Sequence, residues 1–226
     1  MSLNFYTKEE ENNKEESIDN YKYLFKDYEQ KIPTLLDALF QMFKSSNLND
    51  DLIEEFTEDI LMKCQQKIDK NYDQIKQKYK NISKNDAYII CVYTLEAKDK
   101  KYSPYRILNQ NLVANDRKNG IENISKYLYI FLNSLRKLPR YYPKNSKRCL
   151  YRCITHKVSL DEDPKNKKFV PYKEGNKKTF WGFTSTSSNS NATYSFLKDE
   201  IMVRSGSKNE DEILLKSGTL FRLEGI

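Results

Sequence analysis

Apolar residues in the first 140 positions recur at intervals of three and four, the spacing of helices that turn one face inward. Tyr21, Leu24, Phe25 and Tyr28 carry the pattern in the first segment, and Pro33 breaks it. Leu35, Leu36, Leu39, Phe40 and Phe43 start a second helix, with Pro33 near its first turn. Asn49 or Asp50 can cap a third, carrying Leu52, Ile53, Phe56, Ile60, Leu61 and Cys64. That pattern continues through Ile68, Tyr72, Ile75 and Tyr79, either as one long helix or with a break near Asn71. Ser83 and Asp86 have the spacing of a capping box for a helix over Ala87, Ile90, Cys91 and Leu95. A loop with Pro104 leads to Ile107, Leu108 and Leu112. Asn119-Gly120 reads as punctuation before a helix from Ile121 to Leu138, which puts Ile124, Leu128, Phe131, Leu132 and Leu135 on one side. Residues 1 to 16 are highly charged and are expected to be poorly ordered.

Beyond Pro139 and Pro143 the period shortens. "CLYRCIT" (149–155) alternates and is rich in aromatic and β-branched residues, "KFVPY" is a short extended piece, and "TFWGFTSTS" (179–187) is another strand candidate. Tyr194 to Leu197 suggests a short helix and "EIMV" a strand. In "SKNEDEILLKSGTLFRL" (207–223) two apolar runs, Ile213–Leu215 and Leu220–Leu223, flank a turn-like Lys216-Ser217-Gly218-Thr219. Helices first and strands second imply the α+β class, with N-terminal helices packed on an antiparallel β core.

Composition narrows the possibilities. Of 226 residues 38% are hydrophobic and 31% charged, and 17 Tyr and 11 Phe can furnish a core. The net charge of +7 favours anionic partners, although a Lys-rich solvated surface accounts for most of it. With 6 Gly in the chain, neither a Walker loop nor a GxGxxG fingerprint is present. Cys64, Cys91, Cys149 and Cys153 form no CxxC pair, which argues against zinc and against a disulfide framework; no metal is expected. His156 is the only histidine, so a Ser-His-Asp hydrolase is not expected. The N-terminus has acidic residues where a signal peptide needs an apolar stretch, and no 18-residue apolar run occurs. The expectation is a cytoplasmic protein without membrane or nucleic-acid partners.

Three features carry candidate chemistry. Arg152 lies within "LYRCI", where a charge that cannot be shed needs a partner. Its fork suits two phosphate oxygens or a carboxylate, and an internal acid would serve equally. In Ser185-Thr186-Ser187 the two serines share a strand face with Phe183, and their hydroxyls can orient a neighbouring side chain. Glu210 and Glu212 point the same way at a strand entrance, a costly pairing of like charges that a solvated turn would also tolerate.

In order, "LYRCI", "YKEGNKKTFWGFTSTS" and "EDEILLKSGTLF" resemble the arginine-specific mono-ADP-ribosyltransferases of the R-S-E class. "AYIICVYT", "YRILNQNL" and "ISKYLYIFLNSLRKLPRY" are similar to that family's preceding helices. The resemblance covers about residues 86 to 223. It implies a helical extension or lobe over 1–84 and a catalytic domain over 85–226 with an antiparallel β core of the ADP-ribosyltransferase type. It implies NAD as substrate and a protein with an exposed arginine as acceptor. Arg152 would contact the phosphates or ribose of NAD, and Ser185 would support the catalytic carboxylate. Glu212 would grip the nicotinamide-ribose 2′-hydroxyl, and Glu210 would serve transfer to the acceptor. Thr186 and Ser187 belong to the same NAD-binding strand. NAD hydrolysis, or a silent scaffold in a larger assembly, are the alternatives. The family continues with one more strand where this chain stops; a strand from an assembly partner at that C-terminal edge, or truncation of a longer chain, are the two readings.

Overall fold

A computed structural model describes residues 3–4, 23–139, 177–187, 212–215 and 219–223. The chain divides into two compact units, Lys14–Arg140 and the combination of Met1–Asn13 with Tyr141–Ile226. The boundary read from the sequence, between residues 84 and 85, lies inside the first of these.

The first unit is helical. Its elements are α1 (Lys26–Gln30), α2 (Leu35–Lys44), α3 (Asp50–Lys78), α4 (Lys84–Thr94), a 3-10 turn at Lys100–Tyr102, α5 (Pro104–Leu112) and α6 (Arg117–Arg136). Most starts follow from the side chain in front of them. Thr34 Oγ1 accepts the Asp37 N–H at 3.1 Å and Asn49 Oδ1 the Leu52 N–H at 2.9 Å, each satisfying a donor that the helix itself leaves unpaired. Ser83 and Asp86 form the reciprocal capping box that their spacing predicts. Pro104 occupies the first turn of α5, where its missing N–H costs nothing. Of the two readings of residues 50–79, the continuous one holds: α3 passes Asn71 unbroken. Its buried residues all lie between Ile53 and Ile68; beyond them Tyr72 and Lys76 donate to the carbonyl of Ile82 and tie the helix end to the following turn.

Asn119-Gly120 does not punctuate. Asp116 caps α6 by accepting the Asn119 N–H at 3.1 Å, so both residues lie in the first helical turn. The glycine is required by packing, because a Cβ at Gly120 would fall 2.3 Å from the Asn111 carbonyl oxygen of α5.

Helix packs on helix throughout this unit, with α4 against α3, α5 and α6, and α2 against α3 and α6. Leu39, Met42 and Phe43 of α2, Ile53 and Ile60 of α3, Val92 of α4, Ile107 and Leu108 of α5 and Ile124, Tyr127, Leu128 and Phe131 of α6 are all fully buried or nearly so. Each such side chain contributes about 1.5–3 kcal/mol on leaving water. Tyr93, Phe131 and Tyr127 form a stack with centroid spacings of 4.9 and 5.6 Å, and the Tyr127 hydroxyl donates to the Ile89 carbonyl at 2.9 Å. Gln41 ties α2 to α6 in another way. Its Nε2 donates to the Glu122 carbonyl at 2.9 Å and its Oε1 accepts the Lys126 N–H at 3.0 Å. Those two backbone groups are the i and i+4 partners of an uninterrupted helix.

The second unit contributes short strands: β1 (Leu3–Asn4), β2 (Lys177–Phe180), β3 (Thr184–Ser187), β4 (Glu212–Leu215) and β5 (Thr219–Leu223). One small sheet has the order β1-β5-β2 and the other pairs β3 with β4, all antiparallel. The two apolar runs of 207–223 therefore pair with different halves of 177–187 and not with each other. Register is kept across the gap: Phe180 pairs with Thr219 and Thr184 with Leu215, with three residues between on either side. Leu3 pairs with Leu223, so part of the N-terminus that its charge marks as poorly ordered occupies a sheet edge. β5 has β1 on one side and β2 on the other.

The expected fold class needs correction. Described residues are overwhelmingly helical, and there is no antiparallel β core among them on which the N-terminal helices pack. The helices bury their apolar faces on one another: among the described residues the buried hydrophobic ones, Phe183 apart, lie between Phe25 and Leu132. The strands are two- to five-residue pieces in the other unit. The segments expected at 149–155, "KFVPY", 194–197 and "EIMV" lie outside the described residues.

Candidate functional site

Thr184–Ser187 and Glu212–Leu215 supply the ladder that bears on the candidate chemistry. β-branched Thr184 and Thr186 suit the pleated backbone of β3. Both are buried, at 4% and 6% exposure, and the Thr184 hydroxyl donates to the Gly182 carbonyl at 3.2 Å. Phe183, at 5% exposure, is buried as well. Pairing with β4 sets Thr184 opposite Leu215, Ser185 opposite Leu214, Thr186 opposite Ile213 and Ser187 opposite Glu212.

Alternation sorts these positions onto two faces. Thr184, Thr186, Ile213 and Leu215 take one register face, the one on which the two threonines are buried. Ser185, Ser187, Glu212 and Leu214 take the other. Directly opposed positions of such a ladder lie about 5 Å apart and diagonal ones about 7–8 Å. Ser187 is the direct neighbour of Glu212, and Ser185 its diagonal neighbour. Of the residues singled out from the sequence, the ladder thus brings together Ser185, Ser187 and Glu212. It assigns Thr186 to the opposite, buried face. Arg152, Glu210 and His156 lie outside the described residues.

The helical unit has concavities and charged clusters of its own. An open cleft of about 380 Å³ is lined by Ser45, Ser46, Lys101, Tyr102, Gln110 and Asn111. Its one cationic group, Lys101, is already engaged by Asp99 at 3.2 Å and by the face of Tyr102 at 4.6 Å. At the α3–α4 surface the Asp69 carboxylate accepts from the Tyr88 hydroxyl at 2.5 Å and from Lys84 at 2.9 Å. Those two donors hold its pKa below the usual carboxylate value. Both places are solvent-exposed, and neither contains a residue singled out from the sequence.

Among the described residues, Asp86 is the one buried carboxylate with a full set of partners. It accepts from Ser83 N–H at 3.0 Å, from the Ser83 hydroxyl, from Ser134 at 3.0 Å and from Lys137 at 2.8 and 2.9 Å. Burial by itself would raise its pKa; the Lys137 ammonium and the serine donors outweigh burial and bring it below the ordinary value. A carboxylate so completely satisfied holds structure and is not poised for proton transfer.

Comparison of the chain with family models, with curated proteins and with solved structures finds no match to any of the three.

Proposed function

We propose that the protein is an NAD-dependent mono-ADP-ribosyltransferase that moves ADP-ribose to a protein arginine and releases nicotinamide. The observation that carries the reading is the β3–β4 register, which sets Ser187 directly opposite, and Ser185 diagonal to, Glu212. The reading asks for a hydroxyl-supported carboxylate, and adjacent strands are an economical way to hold one.

The chemistry follows from the bond that breaks. Cleaving the nicotinamide–ribose link develops positive charge on the sugar, as in glycoside cleavage, where a carboxylate and a hydrogen bond to the 2-hydroxyl stabilise the same kind of cation. Glu212 takes that part, with Ser185 and Ser187 restraining its carboxylate. Glu210, two residues earlier, orients the acceptor guanidinium by charge-assisted hydrogen bonds and assists its deprotonation. Arg152 offers a bidentate grip on the pyrophosphate oxygens. Nicotinamide is a good leaving group, so the mechanism requires no metal.

Labelled NAD and an arginine-rich acceptor test this. Wild type should label the acceptor, and Glu212→Gln should lose about 10²- to 10³-fold in rate, the usual cost of one preorganised electrostatic group. Glu210→Gln should lose acceptor labelling while still forming free ADP-ribose. Free ADP-ribose without labelled acceptor in the wild type would instead make the protein an NAD glycohydrolase. Absence of both turnover and NAD binding would overturn the proposal.

A further inference from the structure

Two buried thiols meet in the seam between α3 and α4, and the function proposed above does not use them. Cys64 is 1% and Cys91 6% exposed, and both are free. The Cys64 sulfur donates to the Tyr88 carbonyl at 3.3 Å. Tyr88 lies three residues before Cys91 on α4, hence on the same helical face, one turn away. The Cys64 sulfur thus lies against the turn of α4 that carries Cys91. The neighbouring Cys91 thiol, together with burial, pushes the Cys64 pKa up, whereas Cys91 is brought down to about 7 by the neighbouring Cys64, with help from Lys67 and the Thr94 hydroxyl. A pair with one more acidic and one protonated thiol has the division of labour that disulfide formation requires.

We propose that Cys64 and Cys91 form an oxidisable dithiol, a modification site that takes a hydroperoxide and closes to a disulfide joining α3 to α4. Cys91 as thiolate attacks the terminal peroxide oxygen; the O–O bond breaks, the alcohol or water leaves with a proton, and Cys91 becomes the sulfenic acid. The Cys64 sulfur then attacks the Cys91 sulfur, the S–O bond breaks, and water departs with the Cys64 proton. The two sulfurs surrender two electrons, and these reduce the peroxide. Because both thiols are buried, reaction waits on local opening of the α3–α4 seam and is slow compared with that of an exposed thiolate.

The experiment uses the full chain as wild type and as the Cys149→Ser, Cys153→Ser double variant, each treated with dilute hydrogen peroxide under native conditions. The expected result is loss of two hydrogens from the intact mass of the double variant, and a non-reducing peptide map joining the segments that carry Cys64 and Cys91. The urea midpoint should rise, since the cross-link restricts the unfolded chain, and a dithiol reductant should reverse the change. Should the double variant fail to fold, the wild-type map decides through the same cross-linked peptide. Cys64 and Cys91 both remaining alkylatable, gaining oxygen without cross-linking, or pairing with Cys149 or Cys153 would overturn the proposal. It stands independently of any activity on NAD.

Discussion

Asp86 allows the helical unit to be tested at its most connected point. Replacing it by Asn keeps the shape of the side chain and one acceptor oxygen but removes the charge. In the wild type that charge receives the N–H and hydroxyl of Ser83, the hydroxyl of Ser134 and the ammonium of Lys137, and the residue is 4% exposed. Hydrogen bonds to a charged group contribute about 1.5–3 kcal/mol each against about 1 for neutral ones, and an amide would turn an N–H toward Lys137 or Ser134, which are also donors. The Lys137 side chain is 47% exposed, so its Coulombic share must be discounted for solvent screening. The expected net loss is about 2–3 kcal/mol, a fall of about 1–2 M in the urea midpoint by helical circular dichroism with little change in slope. Lys137→Met should cost less, about 0.5–1 kcal/mol, because only a half-exposed partner is lost. The pH dependence gives a second check. The folded pKa of Asp86 lies below the unfolded value near 3.9, so its contribution is fully present above that value and is lost as pH falls through the folded one. The gap between wild type and Asp86→Asn should therefore be wide at neutral pH and narrow below about pH 4. A gap within about 0.5 kcal/mol at pH 7, or one constant down to pH 3, would refute the reasoning.

Three further substitutions probe separate devices. The Thr57 hydroxyl is buried in α3 without a hydrogen-bond partner, so the isosteric Thr57→Val should raise stability by about 1 kcal/mol in urea titration. Gly120→Ala forces α5 and α6 apart, since the new methyl would meet the Asn111 carbonyl oxygen at 2.3 Å; the loss should be about 1–3 kcal/mol and show as a lower midpoint. Gln41→Leu takes its partners from the Glu122 carbonyl and the Lys126 N–H, and should cost about 1–3 kcal/mol while speeding hydrogen exchange at the Lys126 amide.

Legibility followed the range of the interactions. Helix starts set by a side chain three residues ahead of the amide it caps could be read directly, and Ser83 with Asp86 is the clearest case. The period of three and four gave most of the inward faces of α2, α3 and α6, but it also selected Leu36 and Leu52, which are 50% and 38% exposed. The second link of Asp86, to Ser134 and Lys137 about fifty residues away, carries no local mark. The same holds for Gly120, whose partner is the backbone oxygen of Asn111: a glycine needed for close approach looks like one needed for a turn. The fold class was missed for a related reason. A change of period tells where strands occur, but not whether helices bury their apolar faces on them or, as here, on one another.

The β3–β4 ladder shows how local and non-local information constrain each other at the candidate site. Alternation along β3 was readable, and it grouped Ser185 with Ser187; it could not say which strand would lie alongside, 25 positions ahead of Ser187 at Glu212. Period two leaves little freedom once that partner is given, because a slip of one residue exchanges the faces of the whole strand. Burial supplies a check independent of any functional reading. Thr184 and Thr186 are buried at 4% and 6%, and by register Ser185, Ser187 and Glu212 belong to the other face of the ladder. A one-residue slip that brought Thr186 opposite Glu212 would put Glu212 on the register face of the buried threonines, where a carboxylate carries a desolvation cost. The observed pairing avoids that cost. A hydroxyl-supported carboxylate at this ladder is thus compatible with the packing of β3, a condition that any chemistry assigned to Glu212 has to meet.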